Sequence, residues 1–418
     1  MFKKLLSLVL VVIMCLSACL AFGSCQNAGD GEDLLASPLP APELKKDFDI
    51  PADFKVGFIF LHDDKSTYDK NFMDAAKQVQ EVLGLTNDQV LFKYPVNEED
   101  ECPVAVEYLV EQGCDVIFAD SFGHENGMLQ IAAQYPDVQF CHATGTQAHT
   151  SELDNVHNAF ASIYEGRFLA GIAAGLKLNE MIEEGKITKE QAVMGYVGAF
   201  PYAEVKSGYT AFYLGAKSVC PSVTMKVNFT NSWYSVDAER QNALALINDG
   251  CVLISQHADS MGAPSACEEK GIPNISYNGS TYKDCPETFI VSSRINWAPY
   301  FMYMIKCVVT GTEIADDWCG GLAEGSVVLT DINSKAAAEG TKEAIEDAIA
   351  KMKAGTLHVF DTSTFKVDGK TLTSYLADVD TDPAFTPDTE VIADGYFHES
   401  EKRSAPYFDI DIDGITIK

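Results

Sequence analysis

The sequence predicts an α/β protein with two parallel sheets. Short β-rich runs alternate with helical stretches from Lys55 onward, and the alternation starts again near Leu169. Repeated strand–helix–strand units imply parallel strands joined by right-handed crossovers. Two successive blocks of such units imply two sheets rather than one very wide sheet. A chain of 418 residues is also long enough for two lobes of about 100–200 residues each.

Each block is predicted from its apolar runs and helix-end signals. Val116–Ala119, for example, is the continuous apolar run of a strand covered on both faces. The helix that opens with Pro103 is expected to stop at Gly113. Predicted strands are 56–61, 90–94, 116–119, 138–143 and 156–161 in the first block, and 193–198, 224–229, 252–255, 274–277 and 289–293 in the second. The other predicted helices are 68–83, 202–219 and 237–249.

The first 25 residues are typical of a lipoprotein signal peptide. Lys3 and Lys4 precede an uncharged, nearly all-apolar stretch from Leu5 to Phe22, and the run 21–25 (Ala-Phe-Gly-Ser-Cys) ends at Cys25. Cys25 is therefore the expected lipidation site. Cys19 is a rival, although apolar residues follow it where a polar tether is expected. A retained transmembrane anchor is the alternative. Residues 26–50 are polar and Pro-rich, which predicts a disordered tether.

The strongly acidic composition excludes some classes of partner. With 30 Lys and Arg against 61 Asp and Glu, the formal charge is −31. Nucleic-acid binding needs a dense cationic face, so we expect no nucleic-acid partner. We expect a soluble body on the outer face of the cell membrane, held there by the lipid anchor.

Sequence motifs give no sign of a metal, a cofactor or catalysis. Nine Cys follow Cys25 without a CxxC pair, and the His residues lack metal-ligand spacing. No GxSxG, P-loop or GxGxxG motif is present. The run Asp409–Gly414 imitates the start of an EF-hand loop, but the chain ends before the twelfth position. Alternating Asp and Ile there predicts a terminal β-strand with one wet face.

Polar and aromatic residues follow nearly every predicted strand. In doubly wound sheets, ligands bind at the carboxyl ends of the strands. An aromatic ring, an acid or an amide at successive strand exits suits a flat, nitrogen-rich ring, because aromatic faces can sandwich it while Asp and Asn bind its edges. The sequence therefore favours a small planar ligand.

Several of these segments resemble the basic membrane protein (BMP) family of lipoproteins, the substrate-binding components of ABC importers for nucleosides and purines. The resemblance extends in the family's order from about Lys55 to Gly325. The matching stretches are 120–123 (Asp-Ser-Phe-Gly), 140–145 (Phe-Cys-His-Ala-Thr-Gly), 163–172 (Ile-Tyr-Glu-Gly-Arg-Phe-Leu-Ala-Gly-Ile), 198–201 (Gly-Ala-Phe-Pro), 215–219 (Gly-Ala-Lys-Ser-Val), 231–234 (Asn-Ser-Trp-Tyr) and 256–260 (Gln-His-Ala-Asp-Ser).

The resemblance implies the type I periplasmic-binding-protein fold, with two Rossmann-like lobes and a three-crossover hinge. The N-terminal lobe would comprise 51–160 plus 294–324, and the C-terminal lobe 161–293 plus 325–418. It also implies a monomeric, non-enzymatic receptor that delivers its ligand to an ABC permease and its ATPase.

Within that resemblance, nine residues are expected to bind the ligand. Phe122, Phe200 and Trp233 would form an aromatic clamp. Asp64 and Asp259 would accept ring N–H groups. The rim would be completed by Tyr68, Asn71, Asn278 and Trp297.

The family's nucleoside binders hold ribose with an acid and a lysine, and this chain lacks both. Residues 278–281 (Asn-Gly-Ser-Thr) contain no acid, and an Asn lies where the lysine is expected. Residues 257–260 (His-Ala-Asp-Ser) and Trp297 are more similar to the branch of the family that binds free purine bases, although Thr67 stands where many members of that branch carry Trp. A sugar or signal-molecule receptor of the same fold is an alternative. A secreted nucleoside hydrolase with metal at Asp63 and Asp64 is another.

Overall fold

Two separate β-sheets organise the chain in the computed structural model, which describes residues 33–379 and 386–418. The predicted signal peptide, with Cys19 and Cys25, lies outside the described residues. The first block of elements comprises β1 (Val56–Ile59), α1 (Thr67–Leu83), β2 (Val90–Lys93), α2 (Glu101–Glu111), β3 (Val116–Ala119), α3 (His124–Ala132), β4 (Gln139–Ala143) and β5 (Val156–Ala161).

The second block follows directly and supplies the second sheet. It comprises α4 (Ile163–Glu183), β6 (Val193–Gly198), α5 (Ala203–Val219), β7 (Thr224–Phe229), α6 (Val236–Asn248), β8 (Leu253–His257), α7 (Gly262–Lys270), β9 (Asn274–Tyr277) and β10 (Phe289–Ile295). The chain then continues through α8 (Ala298–Thr310), β11 (Asp317–Gly320), β12 (Val327–Leu329), α9 (Thr341–Lys353) and β13 (Ile415–Ile417).

The strand order confirms the predicted doubly wound fold. The first sheet has the order β11-β5-β4-β3-β1-β2, with every pair parallel. The second has the order β12-β10-β9-β8-β6-β7-β13, in which only β10 and β12 are antiparallel. The chain passes between the sheets three times, at 161–163, 295–298 and 320–327. Strand order reverses beside β1 in one sheet and beside β6 in the other, which marks two switch points.

Local chemistry sets the ends of α1, the helix that borders the first switch point. The Ser66 hydroxyl accepts a hydrogen bond from the Asp69 N–H at 3.2 Å, which caps the helix N-terminus. Gly84 ends the helix with a φ of 70°, a conformation that favours glycine. This cap fixes where Asp69 lies.

Helices α4 and α5 pack backbone against backbone under the second sheet. A Cβ placed on Gly215 would lie 2.0 Å from the Phe168 carbonyl oxygen, and one on Gly171 would lie 2.1 Å from that of Phe212. Only glycine permits this approach. The two helices therefore form a tightly fixed base for the second lobe.

The expected disordered tether is wrong for residues 37–50. The Ser37 hydroxyl donates to the Leu329 carbonyl at 2.8 Å, and Lys46 donates to the Leu83 carbonyl at 3.0 Å. Leu39 is buried, and Leu44 and Phe48 pack against the core. Although the segment is Pro-rich, it contains enough apolar residues to pack against the folded body.

The expected terminal strand lies slightly later in the chain. Ile410 and Ile412 are buried while Asp409 and Asp411 are exposed, so the predicted alternation is present. The strand itself is β13, which pairs with β7. The Lys206 ammonium binds Asp409 at 2.8 Å and Asp411 at 3.3 Å, which anchors the C-terminal segment to α5.

Two further observations concern the thiols and the helices of the described residues. The nine Cys from Cys102 to Cys319 are all free thiols, and all but Cys319 are buried. None of the helices in residues 33–379 and 386–418 combines the length and apolarity needed to cross a membrane.

Candidate functional site

A small inner cavity of about 20 Å³ lies between the carboxyl ends of the two sheets. One wall comes from the exits of β1, β3 and β4, and the other from the residues that follow β6, β7 and β8. Both switch points therefore open into the same space, where the topology places ligands. The lining residues are Leu61, His62, Tyr68, Asp69, Ser121, Phe122, Thr144, Glu204, Trp233, His257 and Asp259.

An outer cavity of about 270 Å³ adjoins the inner one. The two share four lining residues, Phe122, Thr144, Glu204 and Trp233. The outer cavity is completed by Thr146, Pro201, Tyr202, Ala203, Arg403, Ala405, Pro406 and Asp409. The C-terminal segment thus forms part of the wall of the outer cavity.

Aromatic rings from both lobes surround the junction of the two cavities. Phe122 is 46% exposed, and its ring centroid lies 5.8 Å from that of Tyr202. Trp233 approaches Tyr202 at 6.1 Å and meets the edge of Phe200 at 5.1 Å. Phe200 stacks on Tyr202 at 5.1 Å. Phe122 and Trp233 therefore offer ring surfaces to the cavity, while Phe200 supports Trp233 from behind.

Asp69 is the buried acid beside β1. Its carboxylate accepts hydrogen bonds from the His62 N–H at 2.6 Å and the Ser66 hydroxyl at 2.5 Å, and it lies 3.3 Å from the His62 ring nitrogen Nδ1. Burial raises the pKa of Asp69, but the hydrogen bonds from His62 and Ser66 outweigh burial and the net pKa is lowered. Asp69 therefore carries a fixed negative charge at the cavity wall.

Asp259 is the buried acid of the opposite wall. Its backbone N–H donates to the Trp233 carbonyl at 3.0 Å, and its carbonyl accepts the Thr67 N–H at 2.9 Å across the cleft. Burial, and then the charge of Asp69, raise the pKa of Asp259 well above its usual value. The cavity wall therefore disfavours the charged form of the Asp259 carboxyl group.

The remaining acid of the lining, Glu204, interacts with His257. The two side chains lie 3.3 Å apart, from Oε1 to Nε2. Beneath them, the fully buried Arg167 guanidinium stacks 3.4 Å over the Tyr277 ring and donates to the Gln256 carbonyl at 3.1 Å. Arg167 does not line either cavity.

Four of the nine residues predicted as ligand contacts line the inner cavity: Tyr68, Phe122, Trp233 and Asp259. The predicted contact of Asp64 is not found, because Asp64 is exposed and lines neither cavity. Asp69 occupies the position in the cavity wall that was expected for Asp64. The turn from 62 to 66 points Asp64 to solvent, whereas the helix cap turns Asp69 inward.

The other four predicted residues line neither cavity. Asn71 donates to the Ile295 carbonyl. Asn278 is buried at a φ of 60° with neither amide atom partnered. Phe200 supports Trp233. Trp297 is only 1% exposed and stacks on Phe72 at 4.3 Å, so it belongs to the core of the first lobe rather than to the rim.

Comparison with known proteins identifies the family. The family model of Bmp, described as ABC transporter substrate-binding protein PnrA-like, matches residues 61–358. The chain belongs to this Bmp family. It is an ABC transporter substrate-binding protein, and every residue that lines the inner cavity falls within the match.

The relatives of this chain are named for different ligands. A purine-binding protein of Brucella abortus is 31% identical over 318 residues, which span 75% of this chain and 85% of that protein. A putative ABC transporter glucose-binding protein of Haloferax volcanii is 33% identical over 223 residues, 53% of each chain. A solved ABC transporter solute-binding protein of Conexibacter woesei superposes with a TM-score of 0.59 at 16% identity, over 73% of this chain and 98% of that one. This last likeness shows the shared fold.

Two acidic residues that line the inner cavity, Asp69 and Glu204, were not among the ligand contacts predicted from the sequence of this Bmp protein. Asp69 is marked by the capping pattern of residues 66–69, in which Ser66 precedes it by three positions. Glu204 lies in the first turn of α5, just after the exit of β6. Both signals were present, but each is also common at ordinary helix starts.

The metal site expected for a hydrolase is not assembled in the described residues. Asp63 pairs with Lys65 at 3.3 Å, and Asp64 is exposed. Across residues 33–379 and 386–418, no group of three or more His, Cys, Asp or Glu is placed to hold a metal ion.

We expect the substitution Glu239→Gln to stabilise the protein more at pH 8 than at pH 5. Glu239 is buried at the start of α6 and accepts the N–H groups of Ser235 and Ser260. Burial raises its pKa to about 7. The folded state therefore keeps a proton that the unfolded chain releases above about pH 4.5, so stability falls as the pH rises from there to about 7.

Gln cannot ionise, so the variant does not lose this stability. At pH 8 we expect the free energy of unfolding of Glu239→Gln to exceed that of the unmodified protein by on the order of 1–3 kcal/mol. Thermal unfolding at pH 5, 6, 7 and 8 measures the difference in Tm. The exposed Glu343, also in the first turn of a helix, provides the matched control Glu343→Gln. A Tm difference that stays constant across this range would contradict the role given to Glu239.

Proposed function

We propose that this protein is the extracytoplasmic, lipid-anchored receptor of an ABC importer and binds a purine base or nucleoside in the inner cavity. The observation that carries the proposal is the pairing of two aromatic surfaces, Phe122 and Trp233, with the carboxyl groups of Asp69 and Asp259 in one cavity. Aromatic faces bind a planar ring by stacking, worth roughly 1–3 kcal/mol per base. The carboxyl groups bind the N–H groups at its edge.

The two cavities differ in size. The outer cavity, of about 270 Å³, approaches the lower end of the roughly 300–1,000 Å³ typical of small-molecule sites. The inner cavity, of about 20 Å³, would accept a ring only if the two lobes move apart. Binding of a purine by the Brucella abortus relative, as its name states, supports the same ligand class.

The remaining parts of the proposal rest on the sequence. The run that ends at Cys25 supports a lipid anchor and hence a position on the outer face of the cell membrane. We propose that the protein acts as a monomer, without chemical change to its ligand, and delivers that ligand to a permease and ATPase.

Isothermal titration calorimetry against a panel of ligands tests the proposed function. The panel contains adenine, guanine, adenosine, guanosine, ribose and glucose. We expect saturable binding of at least one purine base or nucleoside and none of the free sugars. Selective binding of glucose would overturn the purine assignment and favour the function named for the Haloferax volcanii relative.

A further inference from the structure

The C-terminal segment, residues 399–417, lies beyond the part of the chain that matches the family, which ends at residue 358. Two contacts fix this segment to the second lobe. Strand β13 pairs with β7 of the second sheet, and the Lys206 ammonium on α5 binds Asp409 at 2.8 Å. The segment therefore belongs to the second lobe, although it follows the last crossover of the chain.

Within this segment, residues 399–408 form a loop whose two ends are joined. The buried Glu399 carboxyl group accepts the backbone N–H groups of Tyr407 and Phe408, each at 2.8 Å. The Phe408 ring is completely buried. A loop closed and packed in this way holds its middle residue, Ser404, in a defined position.

Ser404 crosses from the second lobe to the first. Its backbone N–H donates to the Asp317 carboxylate at 2.8 Å, and its hydroxyl donates to the same oxygen at 2.5 Å. Asp317 begins β11, the edge strand of the first sheet, and its other carboxylate oxygen lies 2.7 Å from His149 Nδ1. Ser404 is only 1% exposed. Hydrogen bonds to a carboxylate are roughly twice as strong as neutral ones, so this is a firm link between the lobes.

The link lies away from the crossovers about which the lobes would rotate. Asp317 precedes Gly320, where the third crossover begins, by three positions. At about 3.3 Å per strand residue, this separation is roughly 10 Å. A rotation that parts the lobes therefore changes the distance from Asp317 to Ser404. The inner cavity accepts a ring only if the lobes move apart, so the two hydrogen bonds of Ser404 oppose the entry and release of a ligand.

We propose that the loop 399–408 is a strap that holds the two lobes together and limits how often the cleft opens. Ser404 and Asp317 are its positioning residues. The inference goes beyond the proposed function, because the link between the lobes does not depend on which ligand the cleft binds.

Hydrogen exchange at pH 7, measured by mass spectrometry on the protein without added ligand, tests the strap. The Thr67 N–H donates across the cleft to the Asp259 carbonyl at 2.9 Å, so the peptide that contains Thr67 exchanges when the lobes separate. We expect Ser404→Ala to accelerate this exchange by about fivefold or more, because a buried hydrogen bond to a carboxylate is lost.

The matched control is Ser374→Ala. The Ser374 hydroxyl donates to Glu390 at 2.5 Å, which is a serine–carboxylate hydrogen bond in the same C-terminal part of the chain that does not link the lobes. We expect this variant to keep the Thr67 exchange rate of the unmodified protein. An unchanged rate in folded Ser404→Ala would overturn the strap. An equal acceleration in the buried strand β3 would also overturn it, since that result indicates a general loss of stability.

A second variant, Asp317→Asn, keeps the shape of the side chain and removes its charge. We expect faster exchange of the same Thr67 peptide, and an unchanged rate would contradict the role of Asp317. Because no ligand is added, these outcomes stand apart from the calorimetry. Failure to bind any purine would refute the proposed ligand and leave the strap in place.

Discussion

Replacing Trp233 with alanine is expected to weaken purine binding more than tenfold, a loss of at least about 1.4 kcal/mol. Trp233 lines both cavities, and its indole is the largest ring surface of the second lobe there. Its removal takes away one stacking face and lets water reach Asp259. The backbone carbonyl of Trp233 still accepts the Asp259 N–H, so the loop is expected to keep its course.

The matched control is the same substitution at Trp318. That ring lies in the first lobe, 5.0 Å from Tyr300, and lines neither cavity. We expect Trp318→Ala to lower stability and to leave the purine Kd within about twofold. Calorimetry gives the Kd, and circular dichroism establishes that each variant is folded. An unchanged Kd in folded Trp233→Ala would make Trp233 a purely structural residue.

Replacing Gly215 with alanine is expected to destabilise the protein, although alanine is normally the better helix residue. In an ordinary helix interior this change gains about 1 kcal/mol. Here the new Cβ would meet the Phe168 carbonyl oxygen at 2.0 Å and the Phe168 carbonyl carbon at 2.8 Å. Backbone atoms cannot rotate away, so α4 and α5 must separate, at a cost of roughly 1–3 kcal/mol or more.

Thermal unfolding measures this effect as a fall in Tm of roughly 5 °C or more. Gly279→Ala provides the comparison, since a Cβ there would meet nothing closer than 3.7 Å. We expect that variant to unfold within about 2 °C of the unmodified protein. A Tm for Gly215→Ala at or above that of the unmodified protein would show that the two helices can separate freely.

The sheet topology could be predicted because it depends on local patterns. Buried parallel strands such as Val116–Ala119 and Val193–Gly198 are bounded by clear helix and loop signals, and the structure has both at the predicted residues. The packing of the expected tether could not be predicted, because it leaves no local pattern in the sequence. Leu39, Leu44 and Phe48 are spaced without any period, so only their contacts show that they are packed.

Only the cavity residues that directly follow a strand at a switch point could be predicted from the sequence. Phe122 and Asp259 lie directly at switch points, where the topology itself brings them together. Trp297 also follows a strand, but β10 lies away from the switch point and the ring turns into the first lobe at the start of α8. Choosing Asp69 over Asp64 depends on a turn and a helix cap, which hydrophobic patterns do not record.

A crystal structure of the protein bound to adenine tests the proposed purine site most directly. We expect a ring in the inner cavity, in contact with Phe122 and Trp233, with an amino group within hydrogen-bond distance of the Asp259 carboxyl group. A ligand bound elsewhere, or a ring in the cavity that touches neither aromatic side chain, would contradict the proposed site.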